Sequence, residues 1–198
     1  MIGVKPLRIP VVSFANRFMQ ERNLEEKLRD PGSREKAFRE LVLAYQERLY
    51  WHIRKIVLNH DDADDVLQNT FLKAWKFIGS FREESSVFTW LYRIATNESL
   101  TFLNSRKRHS LVSPGEQSDF LRDRLEADPY FEGGEIQKKL QRAILALPDK
   151  QRLVFNMRYF DEMPYQEMSQ ILDTSVGALK ASYHHAVKKV EDHLLNRE

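Results

Sequence analysis

Apolar residues in this chain return every three or four positions, a spacing that leaves little room for anything but α-helices. Phe38, Leu41, Val42, Tyr45, Leu49, Ile53 and Ile56 fall on one stripe. Leu67, Phe71, Ala74, Trp75 and Ile78 make a second, and Phe88, Leu91, Tyr92, Ala95, Phe102 and Leu103 a third. Before Lys107 there is no run of alternating polar and apolar residues of the kind a strand requires. Glycine and proline, seven each, cluster between the stripes rather than inside them. The first half therefore reads as a helical bundle.

The period fails between Ser110 and Glu135, where Pro114, Gly115, Pro129, Gly133 and Gly134 accumulate. From Ser113 to Glu135 seven acids (Glu116, Asp119, Asp123, Glu126, Asp128, Glu132, Glu135) face two bases, Arg122 and Arg124. Self-repulsion extends such a segment, so it reads as a flexible acidic linker. Helical spacing then resumes with Ile136, Leu140, Ala143, Ile144 and Leu147. Pro148 suits the first turn of a helix reaching about Phe160, and Pro164 opens a short one through Leu172. Val176, Leu179, Tyr183, Val187, Val190 and Leu194 mark a last helix.

The expected fold class is all-α: two small helical domains joined by an acidic linker, the second a helix-turn-helix domain. The expected boundaries are an N-terminal extension over 1–23, a first domain over 24–109, the linker over 110–134 and a second domain over 135–198. Residues 13–24 could add a helix to the extension.

Composition narrows the function. With 198 residues, 42% hydrophobic and 11% aromatic, the chain can bury a core. It has no cysteine, which removes disulfides and thiolate zinc sites. No apolar run approaches the roughly 20 residues that cross a bilayer, so no membrane insertion and a cytoplasmic location are expected. The net charge is +2, from 31 Lys and Arg against 29 Asp and Glu, less basic than a simple nucleic-acid binder. High but segregated charge suits more than one partner. The six histidines show no metal-ligand spacing, and there is no Gly-rich phosphate loop or G-x-S-x-G motif. No catalytic residue, metal or cofactor is expected, and the chain is not read as an enzyme.

Three local signals remain. In Tyr165 to Ala186, two amphipathic helices flank a tight turn, the helix-turn-helix layout. Small Ser169 permits close approach, Asp173 tolerates left-handed backbone, and Thr174 or Ser175 can cap the following helix. Its polar side chains could read the major groove; a plain helical hairpin with a solvated face fits the same residues. In Phe81 to Arg108, aromatics interleave with Arg82, Arg93, Asn97, Arg106 and Lys107, a mixture that stacks bases and holds phosphates. Phe88 and Tyr92 have core spacing, and Trp90 fits either role. Finally, Asp61, Asp62, Asp64 and Asp65 precede an apolar run, where acids favour a helix N-terminus. Asp65, Gln68, Asn69 and Lys73 could add a polar face for a protein partner.

The run from Asp61 to Trp75 (DDADDVLQNTFLKAW) closely resembles the polymerase-binding segment of bacterial RNA polymerase sigma factors. Phe81 to Asn97 resembles the adjoining segment that reads the −10 promoter element. Leu147 to Arg152 and Met163 to His185 resemble the domain that reads the −35 element. With no intervening third domain, the resemblance is to the extracytoplasmic-function (ECF) subfamily. It implies core polymerase contacts at Asp65, Gln68, Phe71, Leu72 and Trp75. It implies −10 contacts at Phe81, Arg82, Ser85, Ser86, Trp90, Arg93, Ile94, Asn97, Arg106 and Lys107. Of these, Phe81, Ile94 and Asn97 match a pocket for a flipped-out base, and Arg82 to Val87 the loop covering it. It implies −35 contacts at Ser175, Lys180, Ala181, Ser182, His184 and His185. The implied partners are core RNA polymerase, promoter DNA and an anti-sigma protein.

The chain departs from the family pattern in places. Glu83 stands where glycine is frequent, and Ala181, Ser182 and His185 replace more usual Ser and Arg residues, making the −35 face less cationic. The alternative is a helix-turn-helix regulator without sigma activity. Such a regulator needs a receiver domain, and Leu24 to Arg108 lacks the strand–helix alternation of one.

Overall fold

In the computed structural model, the described residues are 23–81, 85–109 and 134–195. The extension and the linker lie outside them except for residues 23 and 134, as do residues 82–84 of the proposed covering loop. All the regular structure described is helical. A short helix α1 (23–29) leads into α2 (Arg34–Val57), α3 (His60–Phe77) and α4 (Val87–His109). The second group comprises α5 (Glu135–Leu145), α6 (Asp149–Tyr159), α7 (Tyr165–Leu172) and α8 (Val176–Leu194).

Helices α2, α3 and α4 pack pairwise, and the stripes read from the sequence form the interior. Leu41, Leu49, Ile53, Val66, Ala74, Phe88, Leu91 and Ala95 are buried among them. Local chemistry sets the boundaries. Helix α2 ends where Leu58 turns left-handed (φ 65°) and its N–H bonds to Arg54 O at 3.0 Å. Asn59 immediately caps α3, its side chain accepting from Asp62 N at 3.0 Å. Ser86 Oγ accepts from Thr89 N at 3.1 Å, while Glu25 of α1 accepts from Val87 N at 3.1 Å, so two side chains serve the N-terminal donors of α4.

In the second group, Gln137 reaches back to Gly134 N at 2.6 Å and fixes the start of α5. Pro148 and Pro164 each sit at the N-cap, one residue outside the first turn expected of Pro148. Buried Arg152 bonds Asp149 Oδ1 at 2.7 Å and lies 3.5 Å from the carbonyls of Leu145 and Leu147, tying α6 to the end of α5. A small core of Ala143, Ile144, Leu147, Phe155, Ala186 and Val190 holds α5, α6 and α8 together.

The two groups also touch. Helix α7 lies on α4 and α6 on α2. Met157, Met163, Met168, Ile171 and Leu179 belong to the same buried cluster as the interior of the first group.

Candidate protein and nucleic-acid interface

The first candidate surface is the outer side of α3. Its seam of Ala63, Val66, Thr70 and Ala74 is buried, and this turns Asp65, Gln68, Leu72 and Trp75 to solvent. Leu72 is 61% exposed and Trp75 44%, an apolar patch beside one acid and one amide. Phe71 is half-buried, edge-on to Phe38 at 6.4 Å, and Trp75 rests against Phe38 at 5.0 Å. Phe71 thus serves the fold at least as much as the surface. The neighbouring acids divide: Asp64 and Asp65 are exposed, but Asp62 is buried and pairs with Arg106 at 2.9 Å.

Helix α4 carries the second. Phe88 and Tyr92 are buried, as their spacing requires. Phe81 is buried too, packed on half-buried Trp90 at 5.2 Å. Ile94 packs partly buried against the same core, and Ser85 and Ser86 are half-buried. Arg93 and Asn97 project outward one turn apart and line a cleft of about 450 Å³ with Thr96, Leu100, Ile171, Leu172 and Asp173. Arg106 lies over the Phe102 ring at 5.0 Å in addition to its pair with Asp62. Arg82 lies outside the described residues; Lys107 is described only as part of α4.

The third is the helix-turn-helix of α7 and α8. Asp173 occupies the left-handed region (φ 48°, ψ 49°), and its N–H bonds to Ser169 O, so the turn chemistry matches the expectation. Of the two candidate caps, Ser175 is the one used: its side chain accepts from Ala178 N at 3.3 Å. Leu179, Ala186 and Val190 face inward, which leaves Lys180, Ala181, His184 and His185 exposed on one side of α8. Ser182 is half-buried. The His184 and His185 rings diverge, their centroids 5.9 Å apart, and Lys180 Nζ lies 5.9 Å from the Tyr165 ring centroid.

Sequence reasoning missed a fourth cluster, between the two helical groups. His52 of α2 is buried at 1% exposure; its Nδ1 lies 2.9 Å from Asp161 Oδ2 and its Nε2 2.9 Å from Thr96 Oγ1 of α4. Lys55 of α2 pairs with the other Asp161 oxygen. Asn156 Nδ2 donates to Lys55 O at 3.3 Å, and Arg93 Nε donates to Gln170 O at 3.1 Å. Burial pushes the Asp161 carboxyl up, but hydrogen bonds and charge from His52 and Lys55 outweigh it and hold the group below the usual carboxylate range. His52 and Asp161 are 109 residues apart in sequence, so no local pattern announces the pair.

Comparison with known proteins places both helical groups. The family described as Sigma-70 region 2 matches residues 41–109, and Sigma-70, region 4 matches residues 137–190. The chain is 29% identical over 180 residues to the RNA polymerase sigma-H factor of Pseudomonas aeruginosa, covering 87% of this chain and 92% of that one. It is 30% identical over 173 residues to the ECF RNA polymerase sigma-E factor of Escherichia coli, covering 80% and 86%. Among solved structures, CnrH in complex with the cytosolic domain of CnrY superposes with a TM-score of 0.65 at 22% identity, covering 90% of this chain and 98% of that one. The sigma factor RpoE in complex with the anti-sigma factor NepR from Bartonella quintana gives 0.62 at 21%, covering 81% and 98%.

Proposed function

Because this chain belongs to the sigma-70 family, as an ECF RNA polymerase sigma factor, we propose how its surfaces divide the work of promoter recognition. The chain binds core RNA polymerase, recognises the −10 and −35 promoter elements and initiates transcription. It works by binding; bond formation belongs to the polymerase, and the sigma subunit contributes no catalytic group. It acts in the cytoplasm; no helix among the described residues is long and apolar enough to cross a membrane. We assign domain limits of 24–109 and 135–198, joined by 110–134.

The observation that carries the assignment of surfaces is exposure on α3. Asp65, Gln68, Leu72 and Trp75 face solvent together, and an exposed Leu–Trp pair rimmed by polar groups suits a protein partner. We assign core polymerase to this face, with Phe71 supporting it from behind. The −10 element falls to the outer side of α4, where Arg93 and Asn97 lead. Trp90, Ser85 and Ser86 border that side; Phe81 and Ile94 back it; Arg82, Arg106 and Lys107 extend the basic track. The −35 element falls to α8 through Lys180, Ala181, His184 and His185, with Ser175 and Ser182 beside them. An anti-sigma protein is the expected inhibitor; the solved RpoE of Bartonella quintana is in complex with one, NepR.

In vitro transcription with core polymerase on a promoter library tests this. Start sites should appear only when the chain is added. A chain that binds duplex DNA but neither co-purifies with core polymerase nor supports initiation would instead be a helix-turn-helix regulator.

A further inference from the structure

We propose that this chain inhibits itself. Asp161 engages His52 and Lys55 to hold the two helical groups closed, and the closed form cannot occupy a promoter. The proposal rests on the reading of α4 and α8 as the −10 and −35 surfaces.

The first argument is distance. The two promoter elements are centred about 25 base pairs apart, or about 85 Å of duplex at about 3.4 Å per pair. In the structure, α7 lies directly on α4 and α8 lies on α7. Packed helices are separated by about 10 Å, so the reading side of α8 sits within about 30 Å of α4. Both surfaces cannot meet their elements until the groups part.

The second argument is occupancy. Arg93, assigned to −10 DNA, is turned onto the Gln170 carbonyl of α7. Asn97 opens into the cleft walled by Ile171, Leu172 and Asp173. Closure therefore sets the first helix of the −35 reader against the −10 surface and engages Arg93, while Arg93 and Asn97 keep part of their surface in solvent.

The third is the construction of the contact. Asp161 belongs to a turn ordered within its own group. Asp161 N bonds to Asn156 O at 3.2 Å, Met163 N to Met157 O at 3.0 Å, and Arg158 Nη1 to Met163 O at 3.2 Å. Glu162 holds the left-handed conformation (φ 51°) that the turn requires. The carboxylate is thus presented in advance. On the facing side, Thr96 gives its hydroxyl proton to Tyr92 O at 2.7 Å and sits 2.9 Å from His52 Nε2, which holds the ring with Nδ1 toward Asp161. Lys55 takes the second oxygen. A buried ion pair with every partner supplied is costly to break from one side, because the remaining charges lose their compensation.

Energy transfer tests the proposal on the full chain, which has no cysteine to interfere with labelling. Dyes are attached through Glu47→Cys and Lys188→Cys, two exposed positions outside the assigned surfaces. The otherwise unaltered chain should show high transfer. Asp161→Ala should lower the closed-to-open ratio about tenfold or more, and Lys55→Met should lower it less, since Lys55 is the more exposed partner. Helicity should stay constant in both, and Asp161→Ala should bind a −10/−35 duplex more tightly without polymerase. Low transfer in the unaltered chain, or unchanged transfer in Asp161→Ala at constant helicity, overturns the latch. An opened variant with no gain in duplex affinity overturns its inhibitory role. If neither chain supports initiation with core polymerase, the sigma reading itself fails, whatever the transfer reports.

Discussion

Leu72→Ala isolates the polymerase surface from the fold. Fully burying a leucine side chain stabilises by roughly 1.5–3 kcal/mol. Leu72 is 61% exposed in the free chain, so roughly that fraction of its surface is still available to a partner. Removing it should cost about 1–2 kcal/mol of association, or a Kd weakened about 5- to 30-fold. Free-chain stability should change by less than about 0.5 kcal/mol, because an exposed helical site is being truncated to a good helix former. Phe71→Ala is a poorer probe, since it also removes the edge contact with Phe38. Anisotropy of the labelled chain titrated with core polymerase measures the Kd, and thermal unfolding supplies the stability. Leu43→Ala is the control: this leucine is 72% exposed on α2 and is not one of the assigned α3 residues. Unchanged affinity for Leu72→Ala refutes the assignment, and so does an equal loss for Leu43→Ala.

Ser175 caps α8, so Ser175→Ala should lower the stability of the chain by about 1 kcal/mol in thermal unfolding. Ser175→Asp should keep the cap and the melting temperature, yet weaken −35 duplex binding by placing a negative charge near phosphates. Lys180→Ala should reduce the salt slope of −35 binding by about one if the contact is to phosphate, and relax base preference if it is to guanine; anisotropy against salt and against substituted duplexes separates the two. Asp161 has a carboxyl lowered in the closed form, so its contribution to closure is complete above the usual carboxylate range and lost as pH falls through the lower closed-state value. Energy transfer should therefore stay high as pH is lowered from about 7 to about 5.

Much of this was legible because the helices obey short-range rules. The stripe residues Leu41, Leu49, Ile53 and Leu91 are buried as the 3.6-residue period requires, and Asp173 and Ser175 perform the turn and cap that their chemistry favours. Exposure on α3 and α8 followed from the same period, since fixing the buried side of a helix also fixes the outward one. What stayed hidden depends on tertiary pairing. Arg106 looked like a free cation for DNA, and nothing local ties it to Asp62 on another helix. Phe81 looked available for a base, but it packs under Trp90 at the entrance to α4. His52 lies among the apolar residues of α2 with no visible partner until a turn from the second group arrives over it.

The closed form also sets limits on its own strength. Helix α4 divides its circumference three ways: Leu91 and Ala95 into the core, Thr96 toward His52, Arg93 and Asn97 outward. The outward side has α7 against it when the chain is closed and, on the proposed assignment, DNA when it is engaged, so the two occupants compete. Apparent promoter affinity is the intrinsic affinity multiplied by the open fraction, and a closed-to-open ratio of about ten reduces it about tenfold. Core polymerase must recover that loss by binding the open form better. A closure built on apolar burial alone would make opening expensive, because Met168 and Ile171 would meet water with nothing in return. The contact instead adds Asp161, Lys55 and Arg93, groups that water solvates well once the surfaces part, and DNA phosphates can then take over Arg93. Polar closure over an apolar centre gives a chain that stays shut alone and can be opened by partners worth only a few kcal/mol more in the open state.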